Sequence, residues 1–457
     1  MKVQRSIFRE YDIRGVVGRD LTPDLARAIG RAYGTLVSRT GGTLVTVGHD
    51  ARLSSPSLAE ALRAGIRAAG VDVIFVGLVP TPALYYSIHH FKAAGGVMLT
   101  GSHNPPEFNG FKLNLGLESI YGARIQELAD IIENETYAAG AGAERSEDII
   151  EPYIAMVREK ISLARPLKIV VDAGNGCGAI FTPRLLRALG CEVIELFCEV
   201  DGTFPNHHPD PTVPENLRDL IATVRETGAD AGFAYDGDAD RIGVVDEQGN
   251  ILFGDQILII FAREILARKP GAAIVYDVKC TMHLEHDIRS RGGRPVINPT
   301  GHSLIKARLA KEKAELAGEM SAHIFFKDGF FGFDDAIYAT ARFLKIMAET
   351  PRPVSSFLAG LPKTFSTPEI RVDCPDEEKF EVIREITAHF KRERPVVDID
   401  GAWVDFGGGW ALARASNTQP ALVLRFEADT EARLREIKTI VHQRLIQTAP
   451  LKGLAPL

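Results

Sequence analysis

Three successive α/β units on mixed, mostly parallel sheets, followed by a C-terminal α+β unit, are what the 457-residue sequence predicts. Two observations carry this reading. Short apolar runs alternate with helical patterns as strand, helix, strand three times over, and that order ends after Pro362. The length permits it, because such a chain can build two to four separately cored domains.

In order, residues 44–48 form an apolar strand run. A helix follows over 57–69, with Pro56 in its first turn and Ser54 or Ser55 as its cap, and then a strand over 71–76. Residues 96–99 are a further apolar run that stops at the turn Thr100-Gly-Ser-His-Asn-Pro105. A strand at 168–172, a helix near 181–189 and a strand at 192–196 repeat the first pattern, and 273–277 opens a third unit. This spacing implies βαβ crossovers. Between them, 231–235 and 242–245 are short apolar strands, and Gly249-Asn250 is a turn. After Pro362 come a strand at 370–372, a helix near 376–389, the run 422–425 and a last helix over 430–447. Boundaries near Glu151-Pro152, Gly249-Asn250 and Pro362 give domains 1–150, 151–250, 251–362 and 363–457. The first three units are similar enough to be a divergent internal repeat.

Charge and composition exclude several classes. The net charge is −7, so the balance shows no basic footprint for nucleic acid or an anionic membrane, and no obligate protein partner is evident. The first twelve residues carry no apolar signal core, and no apolar stretch is long enough to span a bilayer; a soluble cytoplasmic protein is expected. Five cysteines (177, 191, 198, 280 and 374) with no Cys-x-x-Cys pair argue against a disulfide framework or zinc site, so reduced, mostly buried thiols are expected.

Four segments carry chemistry. Ser102, beside His103 on a Pro-terminated turn, is placed to hold a covalent intermediate, since a hydroxyl becomes a useful nucleophile only with help from its surroundings. Asp236-Gly-Asp-Ala-Asp-Arg241 sets three carboxylates two residues apart; they would repel without a hard cation such as Mg²⁺. The spacing also opens an EF-hand loop with Glu247 at its twelfth place, but Arg241 stands where that loop needs glycine, and the flanks read as strands. Gly318-Glu-Met-Ser-Ala-His323 alternates Glu, Ser and His on what reads as an extended strand end, suited to sugar hydroxyls. Arg414-Ala-Ser-Asn-Thr418 offers a guanidinium, hydroxyls, an amide and backbone N–H groups to a dianionic phosphate. A competing motif, Gly174-Asn-Gly-Cys-Gly-Ala179 with Glu195 further on, fits a dinucleotide fingerprint, but no second nucleotide feature supports it and a tight strand-to-helix turn needs the same glycines.

These four motifs, in this order, resemble the α-D-phosphohexomutases, in particular the bacterial phosphomannomutase/phosphoglucomutase branch. Glu10-Tyr-Asp-Ile-Arg-Gly15, Asn109-Gly-Phe-Lys112, Asp277-Val-Lys-Cys280 and Thr300-Gly-His-Ser303 extend the likeness over nearly the whole chain. The resemblance implies four domains, the α/β sheets sandwiched by helices, around a central cleft, and reversible conversion of hexose 1-phosphate to hexose 6-phosphate, for mannose and glucose, through a phosphoserine at Ser102 and a 1,6-bisphosphate. It implies Mg²⁺ on Asp236, Asp238, Asp240 and the Ser102 phosphate, and glucose or mannose 1,6-bisphosphate as activator. Arg14, His103, Lys112, Arg241 and His302 would serve the transfer, the base remaining open among Lys112, His103 and His302. Tyr11, Lys279, Glu319, Ser321 and His323 would line the sugar site, and Arg414, Ser416, Asn417, Thr418 and Arg425 would hold the non-reacting phosphate. Three residues depart from the pattern: Ala239 and Ala322 replace glycines, which would strain the backbone if φ is positive there, and His49 stands where Arg is common. A metal-dependent sugar phosphatase, a non-enzymatic sugar-phosphate binder and a phosphoglucosamine mutase are the alternatives; glucosamine mutases usually carry Gln where this chain has Met320.

Overall fold

The computed structural model describes residues 1–416, 420–448, 451, 454, 455 and 457. Its first three sheets share one four-strand plan. In the first, Leu44–His49 pairs in parallel with Asp72–Leu78 and with Gly95–Leu99, and Gly95–Leu99 turns back as the antiparallel strand Phe108–Leu115. Lys168–Asp172, Glu192–Leu196, Ala231–Tyr235 and Ile242–Asp246 repeat this arrangement. So do Ala273–Asp277, Arg294–Asn298, Leu316–Gly318 and Ile324–Phe326. The internal repeat expected from the sequence is therefore present as topology.

The sheets are mixed, with parallel pairings in the majority, as expected. Antiparallel additions, Ile13–Val16 on the first sheet and Ile251–Leu252 on the second, bring antiparallel pairings close to the parallel ones in number. Ile251–Leu252 follows its partner directly, a short connection that parallel pairing does not allow, whereas Ile13–Val16 reaches Phe108–Leu115 from the far end of the domain. Several strand bounds fall where the residue pattern puts them, including 168–172, 192–196, 231–235 and 273–277. Helix ends differ more. Ser55–Ala68 begins two residues before the expected start; Ser54 occupies the cap position but its hydroxyl accepts from Asn109 and not from the first turn, and the Ser55 hydroxyl goes to Asp50. In the second unit a short 3₁₀ turn, Cys177–Ile180, precedes the helix Thr182–Ala188.

The fourth unit is an antiparallel sheet of six strands, with Ala421–Ala428 at its centre and the helices Lys379–Phe390 and Glu431–Leu445 packed on it. Thr430 caps the second helix through the backbone N–H of Arg433. Residues of the first three units share one continuous apolar core beside smaller clusters within each unit, whereas the fourth is built on a core of its own.

Candidate active site

The plan of the sheets decides where the motifs go. In each repeated unit one hairpin joins the last two strands, and the three hairpins are the serine loop after Leu99, the acidic loop after Tyr235 and the Glu319–His323 turn. Their tips meet in one place. Ser102 Oγ donates to Asp236 Oδ2 at 2.7 Å and lies 3.1 Å from His103 Nδ1. Lys112, on the strand leaving the serine loop, donates to Asp238 Oδ2 at 2.8 Å and also to Asp240. Thr81 Oγ1 donates to the same Asp238 oxygen at 2.6 Å. Arg241 Nε donates to His323 Nε2 at 3.0 Å, joining the acidic loop to the third hairpin.

Three buried carboxylates this close need compensation. Burial, then Asp240 and Asp238, push the Asp236 carboxyl well above the usual range. Burial works the same way on Asp238, but the Lys112 ammonium and the Thr81 hydroxyl outweigh it and hold that carboxyl low. Burial opposes the charge on Lys112 in turn, and Asp238 and Asp240 overcome it, keeping the ammonium protonated. One ammonium does not complete the cluster: Asp238 Oδ1 and Asp240 Oδ1 are buried and have no hydrogen-bond partner among the described residues. With Asp236 they offer oxygen ligands within 4.8 Å of one another, the donor set of a hard divalent cation, so the residues fit a metal.

The third hairpin is a turn, not the extended strand end read from alternation. Glu319 N–H donates to the His323 carbonyl at 3.0 Å, and Ala322 has φ 68°. Ala239 likewise has φ 58°, so both alanines carry the strain that the sequence made conditional on the backbone. His323 Nδ1 faces Asp334 Oδ2 at 3.2 Å, and Lys306 donates to Asp334 Oδ1 at 3.1 Å. His302 Nδ1 is 3.7 Å from the same Asp334. Burial depresses His302, as it does His103, where Arg241 and Arg14 reinforce the effect. Glu319 Oε1 accepts the Gly301 N–H at 2.6 Å.

Several of the remaining residues join one domain to another. Arg14 donates to Asn104 Oδ1 at 3.0 Å and Asp12 at 2.7 Å. Tyr11 donates to the Thr300 carbonyl at 2.7 Å. Lys279 pairs with Glu369 of the fourth domain at 2.7 Å. Arg414 Nε and the Thr300 N–H both reach Asp400 Oδ2 at 2.9 Å. Arg425 donates to the Lys279 carbonyl and lies 3.4 Å from Asp255. Ser321 is partly exposed in the third hairpin, and Ser416 is buried at the end of the Arg414 strand. Asn417 and Thr418 lie outside the described residues. His49 stays out of this cluster, stacked on Phe75 with Nδ1 at the Asp50 carbonyl.

Arg52, Thr81, Lys306 and Asp334 were not legible as site residues, because their partners are remote in sequence. The Gly174–Ala179 turn has a packing role. Cys177 N–H donates to the Gly237 carbonyl at 2.9 Å, and a Cβ on Gly176 would meet Gly237 at 2.7 Å, so glycine lets this turn back the acidic loop. Glu195 is engaged by Arg187 at 2.6 Å.

Comparison with known proteins agrees with this arrangement. Models of the phosphoglucomutase/phosphomannomutase α/β/α domains I, II and III match residues 5–139, 151–249 and 253–365, and that of the C-terminal domain matches 369–443. A phosphomannomutase/phosphoglucomutase of Pseudomonas aeruginosa is 49% identical over 96% of this chain and 95% of its own. A phosphoglucomutase of Neisseria meningitidis is 47% identical over 95% and 96%. A crystal structure of a phosphoglucomutase/phosphomannomutase family protein from Burkholderia thailandensis superposes with a TM-score of 0.93 at 46% identity, covering 100% of both chains. Four domain models match in order, and relatives nearly half identical align over almost their whole length: the chain belongs to the phosphoglucomutase/phosphomannomutase family.

Proposed function

We propose that this protein interconverts the 1-phosphates and 6-phosphates of glucose and mannose through a phosphoserine at Ser102 and a hexose 1,6-bisphosphate. The observation that carries the reading is the Ser102 hydroxyl, 2.7 Å from Asp236 at the edge of a buried carboxylate cluster that also holds Lys112. In the first half-reaction the sugar's 6-hydroxyl oxygen forms a bond to phosphorus as the bond to Ser102 Oγ breaks, and the hydroxyl proton passes to the protein. The bisphosphate then turns around. Its 1-phosphoryl group moves to Ser102 and the proton returns to the sugar oxygen, giving hexose 6-phosphate and the phosphoenzyme.

Asp236, Asp238 and Asp240 would hold Mg²⁺, which would neutralise charge on the transferring phosphoryl group. The residues around it do the rest by alignment. Arg14 and Arg241 bring guanidinium charge to the equatorial oxygens. Lys112 is protonated in the resting site and can donate, while His103 is neutral and 3.1 Å from Ser102 Oγ, so it can accept. Glu319 and Ser321 would hold ring hydroxyls, with Tyr11, Lys279, His302 and His323 around them. Arg414, Ser416, Asn417 and Thr418 would grip the distal phosphate. Arg425 would join them only by exchanging the Lys279 carbonyl and Asp255. Domain boundaries are proposed at 150/151, 250/251 and 362/363, although Ile251–Leu252 pairs with Ile242–Asp246 and so belongs to the second sheet; free cysteines accord with a cytoplasmic setting.

Time-resolved product analysis with glucose 1-phosphate, Mg²⁺ and catalytic glucose 1,6-bisphosphate tests the reading. Glucose 6-phosphate is expected as the main product. Release of inorganic phosphate in its place would make the protein a phosphatase, and no conversion would leave a binding protein.

A further inference from the structure

We propose that Arg52 is a positioning residue that fixes the backbone of the Ser102 loop for phosphoryl transfer. The inference rests on the reading of Ser102 as the phosphate carrier. Its side chain is fully buried. All five guanidinium N–H groups are used: Nε on Asp50 Oδ2 at 3.1 Å, Nη1 on the carbonyls of Pro105 at 2.5 Å and Phe108 at 3.0 Å, Nη2 on those of Ser102 at 2.8 Å and Asn104 at 2.6 Å. Asp50 extends the grip, since its Oδ2 accepts the Gly101 N–H at 3.0 Å and its Oδ1 accepts the Ser55 hydroxyl at 2.5 Å. One buried ion pair thus holds the loop at residues 101, 102, 104, 105 and 108.

Stability alone does not call for such a device. Burying an ion pair is often no better than apolar packing of the same volume. What a planar five-donor fork supplies is geometry, because it holds four carbonyls in fixed relation where an ammonium cannot. That geometry bears on Ser102 in two ways. The serine has φ 49°, a strained conformation that persists only where its surroundings enforce it, and Arg52 Nη2 holds its carbonyl. The same carbonyl abuts the acidic loop so closely that a Cβ on Gly237 would lie 2.5 Å away. Moving it would shift Ser102 Oγ relative to Asp236. The ring centroid of Phe204, in the second domain, lies 5.3 Å from the guanidinium carbon. Arg52 does not touch Ser102 Oγ, so its effect is on placement.

The experiment compares the wild type with Arg52→Lys, Arg52→Ala and Asp50→Asn in glucose 1-phosphate isomerisation, with activity normalised to folded protein by thermal melts. A wild type that does not isomerise the sugar overturns the mutase reading itself, whatever Arg52 does. Given an active wild type, Arg52→Lys is expected to lose about 100-fold in kcat, the cost of roughly 1 Å of misplacement, with KM within about threefold. Methylguanidinium is expected to restore part of the kcat of Arg52→Ala and none of that of Asp50→Asn. If Arg52→Ala does not fold, the kcat-against-KM split in Arg52→Lys and Asp50→Asn decides. Wild-type kcat per folded molecule in Arg52→Lys, or a loss confined to KM or thermal midpoint, would overturn the proposal.

Discussion

Ser102, Ala239 and Ala322 have left-handed backbones, with φ of 49°, 58° and 68°, and each lies in the active hairpin of its own repeat. A non-glycine residue there costs about 1–2 kcal/mol, which the tertiary contacts of the loops must offset. For Ser102 the constraint aims the hydroxyl at Asp236, and two outcomes follow. Ser102→Ala is expected to abolish nearly all turnover while leaving the fold intact; intact-protein mass spectrometry after glucose 1,6-bisphosphate treatment should find one phosphate on the wild type and none on the variant. Asp238→Asn removes charge from the carboxyl that takes bonds from Lys112 and Thr81, so Mg²⁺ affinity and rate should fall together. Titration calorimetry with Mg²⁺ measures the first, and full wild-type activity in excess EDTA would refute metal dependence. Ser102 and the three aspartates could be read from sequence because each motif is local. Arg52 and Asp334 could not: the first binds mainly carbonyls some fifty residues away, and the second meets His323 only through the fold.

At the scale of elements, strands such as Ala231–Tyr235 were legible because buried apolar runs between turn residues have few other uses. The Ser55–Ala68 helix was less so, since the hydroxyl of Ser54 at its cap position is taken by Asn109, a partner remote in sequence. Asp335 at the start of Ala336–Glu349 shows a further device. Its Oδ1 caps the helix through the Tyr338 N–H at 2.8 Å, and its Oδ2 accepts the Tyr153 hydroxyl at 2.7 Å, tying the second domain to the third. Burial outweighs these bonds and pushes the carboxyl up to about 7. Because the folded value exceeds the unfolded one, the unfolded chain gives up this proton first as pH rises. Stability therefore falls between about pH 4 and pH 7, by up to about 4 kcal/mol from this group, and the loss is constant above that window. Asp335→Asn keeps an acceptor for the cap and does not titrate. Its thermal midpoint relative to wild type should rise from pH 5 to pH 8, and a flat difference would remove the assignment.

The whole molecule sets the substrate range, because the cleft has four walls and the fourth domain is attached mainly through polar contacts. Lys279–Glu369, Thr300–Asp400 and the Glu427 carboxylate, which accepts from Thr281 and the Met282 N–H, join separately built cores. A small apolar seam of Val278, Trp410 and Leu412 adds to them. Sequence patterning could place these walls in order but not in contact, since inter-domain bonds leave no periodic signature. Mannose and glucose 1-phosphates differ only at C2. To reject one epimer by about 10⁴-fold, a site must leave a buried polar group unpaired with the wrong substrate. Glu319, the carboxylate expected to read ring hydroxyls, already has one oxygen occupied by the Gly301 N–H and so keeps a partner whichever epimer is bound. The distal phosphate, which we propose the Arg414 strand holds, is the same in both sugars. We therefore expect kcat/KM for mannose 1-phosphate and glucose 1-phosphate to lie within about two decades of each other, the discrimination open to a site without such a group. Parallel kinetics at saturating bisphosphate measure the ratio, and a preference near 10⁴-fold would mean that another side chain reads the 2-hydroxyl.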